Sequence, residues 1–311
     1  MKKKSILKRK PFEITLIFLI AFLNLFWLPT FSFWNIYPKN SLFVKNSGLF
    51  QYQHPSKIFS KLAVKPELNS NHYILIDAAT NKIILSENKD EKIYPASTTK
   101  LITALTALNI YPLDEELTIN QEYTEGQTMK LLLGEKITIK SLVTALLVYS
   151  ANDAAFTLAN HHQKGNSGFV EEMNMLVKRY NLNNTNFTNY DGIHNENHYS
   201  TVYDLSQIAR LAIKSPVITE TVKNKNITVE SIDKTIKHEL TSTDELLGVI
   251  PEIEGLKTGW TPEAKGCFIG LINFNGHYLI SVVAQSEDRF GDTKNLINWA
   301  KENVFWQTYE P

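Results

Sequence analysis

The sequence predicts an α/β chain of the α+β type, with one antiparallel sheet flanked by helices and a helical subdomain filling the middle. Two hairpin patterns, and the helical stretch between them, carry that expectation. Residues 72–77 and 82–85 flank a turn at Ala79-Thr80-Asn81, and residues 268–274 and 278–284 flank Asn275-Gly276. Strands at both ends with helices between them imply a sheet closed by the two ends of the domain.

Ahead of the first hairpin, Lys2, Lys3, Lys4, Lys8, Arg9 and Lys10 precede a mostly apolar run, residues 14–34, interrupted by Asn24 and Pro29. Roughly 20 residues cross a bilayer as a helix. Lysines before the run place the N-terminus in the cytoplasm and the remainder outside. No Ala-x-Ala-like site follows Trp27, so an uncleaved anchor is favoured over a cleaved signal peptide. Residues 35–66 hold Pro38, Gly48, Pro55 and Pro66 without lasting periodicity and read as a linker. The expected division is a basic segment 1–12, a single-pass signal-anchor 13–34, a linker 35–66 and an extracytoplasmic domain 67–311.

After the first hairpin, Pro95-Ala96-Ser97 opens a helix whose Leu101, Ile102, Leu105 and Leu108 recur at helical spacing, and Pro112 ends it. Helices follow at 140–149, 153–161 and 169–180, then a loop rich in Asn, Asp and Gly over 181–200. Residues 201–214 are helical again, and 216–223 add a turn or two. Short strands are expected at 226–229 and 235–240, and a final helix at 292–304.

At 311 residues, 43% hydrophobic and 21% charged, the chain can bury a sizeable core. Its formal charge is zero, but residues 1–50 carry a net +7, which leaves −7 on the rest. A body of that sign argues against nucleic-acid binding. The lone cysteine, Cys267, sits in an apolar run and reads as a buried small hydrophobe, so the fold relies on its core rather than on a crosslink. His194 and His198 are spaced i, i+4, but Gly192, Asn195 and Asn197 make that stretch loop, and no metal site is expected.

Three short motifs stand in order: Ser97-Thr98-Thr99-Lys100, Ser150-Ala151-Asn152 and Lys257-Thr258-Gly259. Together they supply a nucleophilic hydroxyl, two lysines, a second hydroxyl, a side-chain amide and a glycine-bounded strand edge. Those are the parts of a serine acyl-transfer site that works without histidine. Ser-x-x-Lys recurs at Ser5, Ser86 and Ser231, and Ser-x-Asn at Ser86, so the ordered trio is the signal rather than any one piece.

Ser97 falls at or just before a helix start, where unsatisfied N–H groups favour negative charge and Ser97's own N–H can help hold an oxyanion. Lys100 lies on the same helix face and can take the serine proton only when neutral. Burial and a second ammonium, for which Lys257 is the candidate, would depress its pKa. Ser150 and Asn152 sit at a helix-to-helix junction, suited either to capping or to relaying a proton and binding a substrate amide. Lys257-Thr258-Gly259 is either an edge turn or a strand whose glycine permits close approach, with the Trp260 N–H available to an oxyanion.

With its flanking residues the trio resembles the three active-site boxes of the D-alanyl-D-alanine carboxypeptidases, the low-molecular-mass penicillin-binding proteins. The second box extends through Asp153-Ala154-Ala155 and the third spans Gly255 to Thr261. Met173-Asn174, Thr185 to Asn189 with Asp191-Gly192, and His198 to Thr201 with Asp204-Leu205 resemble the same family, over about residues 70–305. The resemblance implies the penicillin-recognising serine hydrolase fold shared by β-lactamases and DD-peptidases. It implies that Ser97 is acylated by a peptidoglycan stem peptide ending in D-Ala-D-Ala, with Lys100 as general base. Ser150 and Lys257 would shuttle the proton to the departing D-alanine, and Asn152 would bind the substrate amide. The N–H groups of Ser97 and Trp260, beside Gly259, would form the oxyanion hole. Arg289, ten residues before Trp299, would hold the terminal carboxylate, assisted by Thr258 and Thr261.

No metal or cofactor is implied. β-Lactam antibiotics are implied as covalent inhibitors, and a bacterial cell membrane, reached through the N-terminal helix, as the location. The β-rich domain and C-terminal amphipathic anchor of many relatives are expected to be absent after Pro311, and Trp260 is bulkier than expected after Lys-Thr-Gly.

Three alternatives stay open: a DD-endopeptidase with the same site, a class A-like β-lactamase, and a domain that only binds wall peptides. A class A enzyme needs a glutamate between the second and third boxes to activate a deacylating water. No clear Glu-x-x-Leu-Asn stands there, and Glu171-Glu172-Met173-Asn174, in an amphipathic helical stretch, is a poor substitute.

Overall fold

The computed structural model describes residues 57–60 and 64–307. The expected basic segment 1–12 and span 13–34 lie outside the described residues. Among the described residues no helix is long and apolar enough to cross a membrane.

Five antiparallel strands form the sheet in the order β3-β2-β10-β9-β8. They are β2 (His72–Asp77), β3 (Ile83–Glu87), β8 (Ile253–Thr261), β9 (Lys265–Phe274) and β10 (His277–Ser286). Both expected hairpins are present, and β10 joins them by pairing with β2 and β9. Alternation along the strands gives the sheet two apolar faces. Ile74, Ile76, Ile269, Ile280 and Val282 join one core cluster, while Leu75, Phe268, Ile272 and Leu279 join another.

The third motif lies inside β8, in its regularly paired part after a register shift between Ile253 and Leu256, rather than in an edge turn, because β9 supplies its partner through pairs such as Lys257↔Ile269 and Gly259↔Cys267. A second departure concerns the linker. Residues 57–60 form β1 (Lys57–Ser60), paired with β11 (Val304–Gln307), and the Val64 carbonyl accepts the Trp299 indole N–H at 2.8 Å. Four residues are too few to show a period, and the partner strand lies at the far end of the chain. Three further strand pairs are thus closed over long or short loops: β1–β11, β4 (Glu116–Thr118) with β5 (Lys136–Thr138), and β6 (Asn226–Glu230) with β7 (Lys237–Thr241).

A 3₁₀ turn, Ala96–Thr99, leads into α1 (Lys100–Ile110), where every position from Lys100 to Leu108 is buried. A helix apolar on all sides belongs in the interior, and α1 is the central helix. Around it stand α2 (Ile139–Val148), α3 (Asn152–Asn160), α4 (Gly165–Arg179) and α5 (Val202–Ala212), while α6 (Pro216–Val222) packs on α2 and β8. α7 (Arg289–Asn303) covers the opposite face through Ile297, Trp299 and Ala300. The buried Asp292 carboxylate fixes its first turn by accepting the Asn69 N–H at 2.7 Å, the Ser70 N–H at 3.0 Å and the Ser286 hydroxyl at 2.6 Å. That places Arg289, the first residue of α7, against the end of the sheet.

Candidate active site

The hydroxyl of Ser97 is half-buried at the tip of the 3₁₀ turn and accepts a hydrogen bond from Lys100 Nζ at 3.0 Å. Lys100 is fully buried and also donates to the Asp191 carbonyl at 2.6 Å. Burial pushes its pKa down to about 8, against a smaller upward pull from the Asp191 carboxylate. The amine is therefore neutral in an appreciable fraction of molecules near neutral pH. When it is neutral, an N–H held on the Asp191 carbonyl leaves the lone pair free for the serine proton.

The turn is pinned from two sides. Ala96 adopts φ 47°, a left-handed conformation that few non-glycine residues occupy. Gly192 (φ +87°) lies so close that a Cβ there would stand 2.0 Å from the Ala96 carbonyl oxygen. On the other side, a Cβ on Gly259 would stand 2.9 Å from the Ser97 nitrogen and 3.0 Å from that of Thr98. Glycine at 259 lets the β8 backbone reach the Ser97 turn.

Lys257 precedes Gly259 by two residues and therefore shares its face of β8. Its pKa is driven well below the ordinary lysine value, first by burial and then by the Lys100 charge. The sequence expected Lys257 to depress Lys100; instead burial is what depresses Lys100, and the Lys100 charge adds to burial at Lys257.

Thr258 and Trp260 lie on the other face. The Thr258 hydroxyl is 2.6 Å from that of Thr243, and Trp260 is 60% exposed. Its cross-strand partner is Gly266, where a Cβ would meet the Arg289 side chain at 3.0 Å, so Arg289 and Trp260 share one face. Arg289 spreads over the Phe290 ring at 4.5 Å, and its Nε is buried without a partner. Its field also reaches Lys257. Thr261 Oγ1 accepts the Ala264 N–H at 3.0 Å, which closes the β8–β9 turn and leaves its proton free to donate elsewhere.

Ser150 joins α2 to α3 with φ 65° and is 5% exposed. Asn152, the first residue of α3, donates its side-chain N–H to the Glu125 carbonyl at 3.0 Å. The amide oxygen is left to accept from a ligand N–H. Asp153 accepts the Met129 and Leu131 N–H groups at 3.0 and 3.1 Å, which fixes the loop opposite α3.

Asp191, Gly192 and Tyr123 support the site without any catalytic signature in the sequence. Only the Asp191-Gly192 pair, in a loop rich in turn residues, gave a hint. Glu171 is exposed and lies 3.8 Å from Lys164, and Glu172 exerts its field on Tyr111. Neither makes a described contact with Ser97. Cys267 is buried as expected, with its thiol pKa raised to about 11. His198 is buried in the loop, where its Nδ1 accepts the Thr188 N–H at 3.1 Å and its Nε2 donates to Thr99 Oγ1 at 2.8 Å. Among the described residues no cluster of metal-ligating side chains occurs.

Comparison with known proteins agrees with this geometry. The family model for D-alanyl-D-alanine carboxypeptidases of peptidase family S11 matches residues 60–288. The D-alanyl-D-alanine carboxypeptidase DacF of Bacillus subtilis is 32% identical over 218 residues, covering 68% of this chain and 56% of DacF. A D-alanyl-D-alanine carboxypeptidase of Streptomyces sp. strain K15 is 28% identical over 256 residues, 76% of this chain and 88% of that one. The crystal structure of the Streptomyces K15 DD-transpeptidase superposes with a TM-score of 0.73 at 28% identity, covering 77% of this chain and 100% of that one. The chain therefore spans little more than half of one curated relative and most of another. Its fold is that of the DD-peptidases, and the chain belongs to the D-alanyl-D-alanine carboxypeptidase family of serine peptidases.

Proposed function

We propose that this chain is a serine D-Ala-D-Ala carboxypeptidase that trims peptidoglycan stem peptides through an acyl-enzyme on Ser97. The observation that carries this reading is the 3.0 Å contact between the Ser97 hydroxyl and a fully buried Lys100 whose pKa is pushed down to about 8. Ser97 Oγ attacks the carbonyl of the penultimate D-alanine and its proton passes to Lys100. The N–H groups of Ser97 and Trp260 hold the oxyanion. Ser150 and Lys257 pass a proton to the nitrogen of the departing D-alanine, and water then hydrolyses the ester.

The peptide lies along β8, an edge strand with one side open to main-chain pairing. The Asn152 oxygen accepts a substrate amide N–H. Arg289, with its unpartnered buried Nε, takes the terminal carboxylate with Thr258 and Thr261, which favours a free C-terminus over a crosslinked one. β-Lactams acylate the same serine. The N-terminal run 14–34 anchors the chain in a bacterial cell membrane with the domain outside.

A second reading keeps the acyl-enzyme and replaces water by an amine, in line with the DD-transpeptidase name of the Streptomyces K15 structure. The experiment is release of D-alanine from a pentapeptide ending in D-Ala-D-Ala, with and without an amine acceptor, by the wild type and Ser97→Ala. D-Alanine release without acceptor, lost in Ser97→Ala, supports the carboxypeptidase. Release only with acceptor supports transfer, and release by Ser97→Ala contradicts both.

A further inference from the structure

The loop between β4 and β5 touches two of the proposed working groups at once. Tyr123 Oη donates to Asp191 Oδ2 at 2.8 Å, and Asp191 in turn offers its backbone carbonyl to Lys100 at 2.6 Å. Two residues further on, the Glu125 carbonyl accepts the Asn152 side chain at 3.0 Å, and the Gln127 carbonyl accepts the Asn152 backbone N–H at 2.7 Å. We propose that Tyr123 is a positioning residue that couples the proton-accepting half of the site to its amide-binding half, by holding Asp191 under Lys100 from the loop that also holds Asn152. The proposal rests on Lys100 acting as the base.

Three observations support it. The Tyr123 ring is stacked on Phe156 of α3, with centroids 4.9 Å apart and planes at 20°, and Phe156 in turn meets Tyr190 at 6.3 Å. The ring is thus fixed independently of its hydroxyl. The other Asp191 oxygen is occupied by the Ile193 N–H at 3.2 Å, so the carboxylate is held from two directions. Gly192 leaves no room between this segment and the Ala96 carbonyl, so a shift of Asp191 is passed on to the nucleophile turn.

The phenol is a permanent donor, because burial and then the Asp191 charge raise its pKa above the ordinary tyrosine value. The titratable groups that face this network are Glu125 and Tyr190 at Tyr123, Lys100 and Tyr190 at Asp191, and Lys257 and His198 at Lys100.

The test compares Tyr123→Phe, Asp191→Asn and the double variant in the full chain. Acylation by a fluorescent penicillin is followed from about pH 6 to pH 10, with melting temperature as a check on folding. Tyr123→Phe keeps the stacked ring and is expected to slow acylation about 10-fold while the chain still melts cooperatively, at a temperature lowered by no more than the loss of one buried hydrogen bond. Asp191→Asn keeps the carbonyl but removes the charge that raises the Lys100 pKa, so the acid limb of its profile moves to lower pH.

Because Tyr123 acts through Asp191, the double variant is expected to be no slower than the slower single one. Acylation by Tyr123→Phe within about twofold of wild type, or effects that multiply in the double variant, overturn the proposal. Lys100→Ala separates the two layers. If it acylates at the wild-type rate, the base assignment itself fails. If it is inert while Tyr123→Phe behaves as wild type, only the positioning role fails.

Discussion

The two walls around Ser97 are built by different means. The sheet wall, β8, works through its backbone: Gly259 lets the strand touch the Ser97 turn, and the edge position leaves main-chain groups without a strand partner. The helical wall works through side chains held on loop carbonyls, with Lys100 on Asp191 and Asn152 on Glu125. The first fails when volume is added, since a close-packed contact has no slack. The second fails when a donor or acceptor is removed, since a buried polar partner is then left unsatisfied.

Substitutions on each wall should break in those different ways. Lys100→Ala removes the proposed base and should lower penicillin acylation about 1,000-fold. An unchanged rate would mean that another group takes the proton. On the sheet wall, Gly259→Ala adds one methyl with no charge and should cost about 100-fold in acylation, because the turn must move to accommodate it. If its acylation matches wild type, the close approach of β8 carries no function. Asn152→Ala should raise the peptide KM about 10-fold while leaving penicillin-labelled Ser97 detectable, because one substrate hydrogen bond is lost. A change confined to kcat would contradict that assignment.

A separate effect concerns stability rather than catalysis. Burial pushes the His198 pKa down to about 3, against an ordinary value of 6.5. The unfolded chain takes up that proton first, so the stability tied to neutral His198 is present above pH 6.5 and is lost as pH falls toward 3. His198→Gln should flatten the fall of melting temperature over that window. An identical slope would show that other groups govern acid sensitivity.

The sequence carried the sheet wall more fully than the helical wall, and the reason is physical. The hairpins, the buried helix after Ser97 and the Lys-Thr-Gly segment are local patterns of period and turn chemistry, legible without knowing what packs on them. Continuity of β8 was less clear, because its partner β9 lies beyond the next turn and Gly255 and Gly259 weaken the strand signal. Tyr123 left no trace, and Asp191 showed only as part of the Asp191-Gly192 pair within the family resemblance. They act through one carbonyl and one hydroxyl across 68 positions of sequence, and no local periodicity encodes such a contact. β1 was hidden in the same way, since four residues gain meaning only beside β11.

The most direct test of the whole account is the pH dependence of acylation by penicillin, read by intact mass and by mapping the labelled peptide. The account predicts one adduct, on Ser97, formed at a rate that rises with pH through about 8 as Lys100 becomes neutral, and absent in Ser97→Ala. An adduct on another residue, or a rate independent of pH across that range, would contradict it.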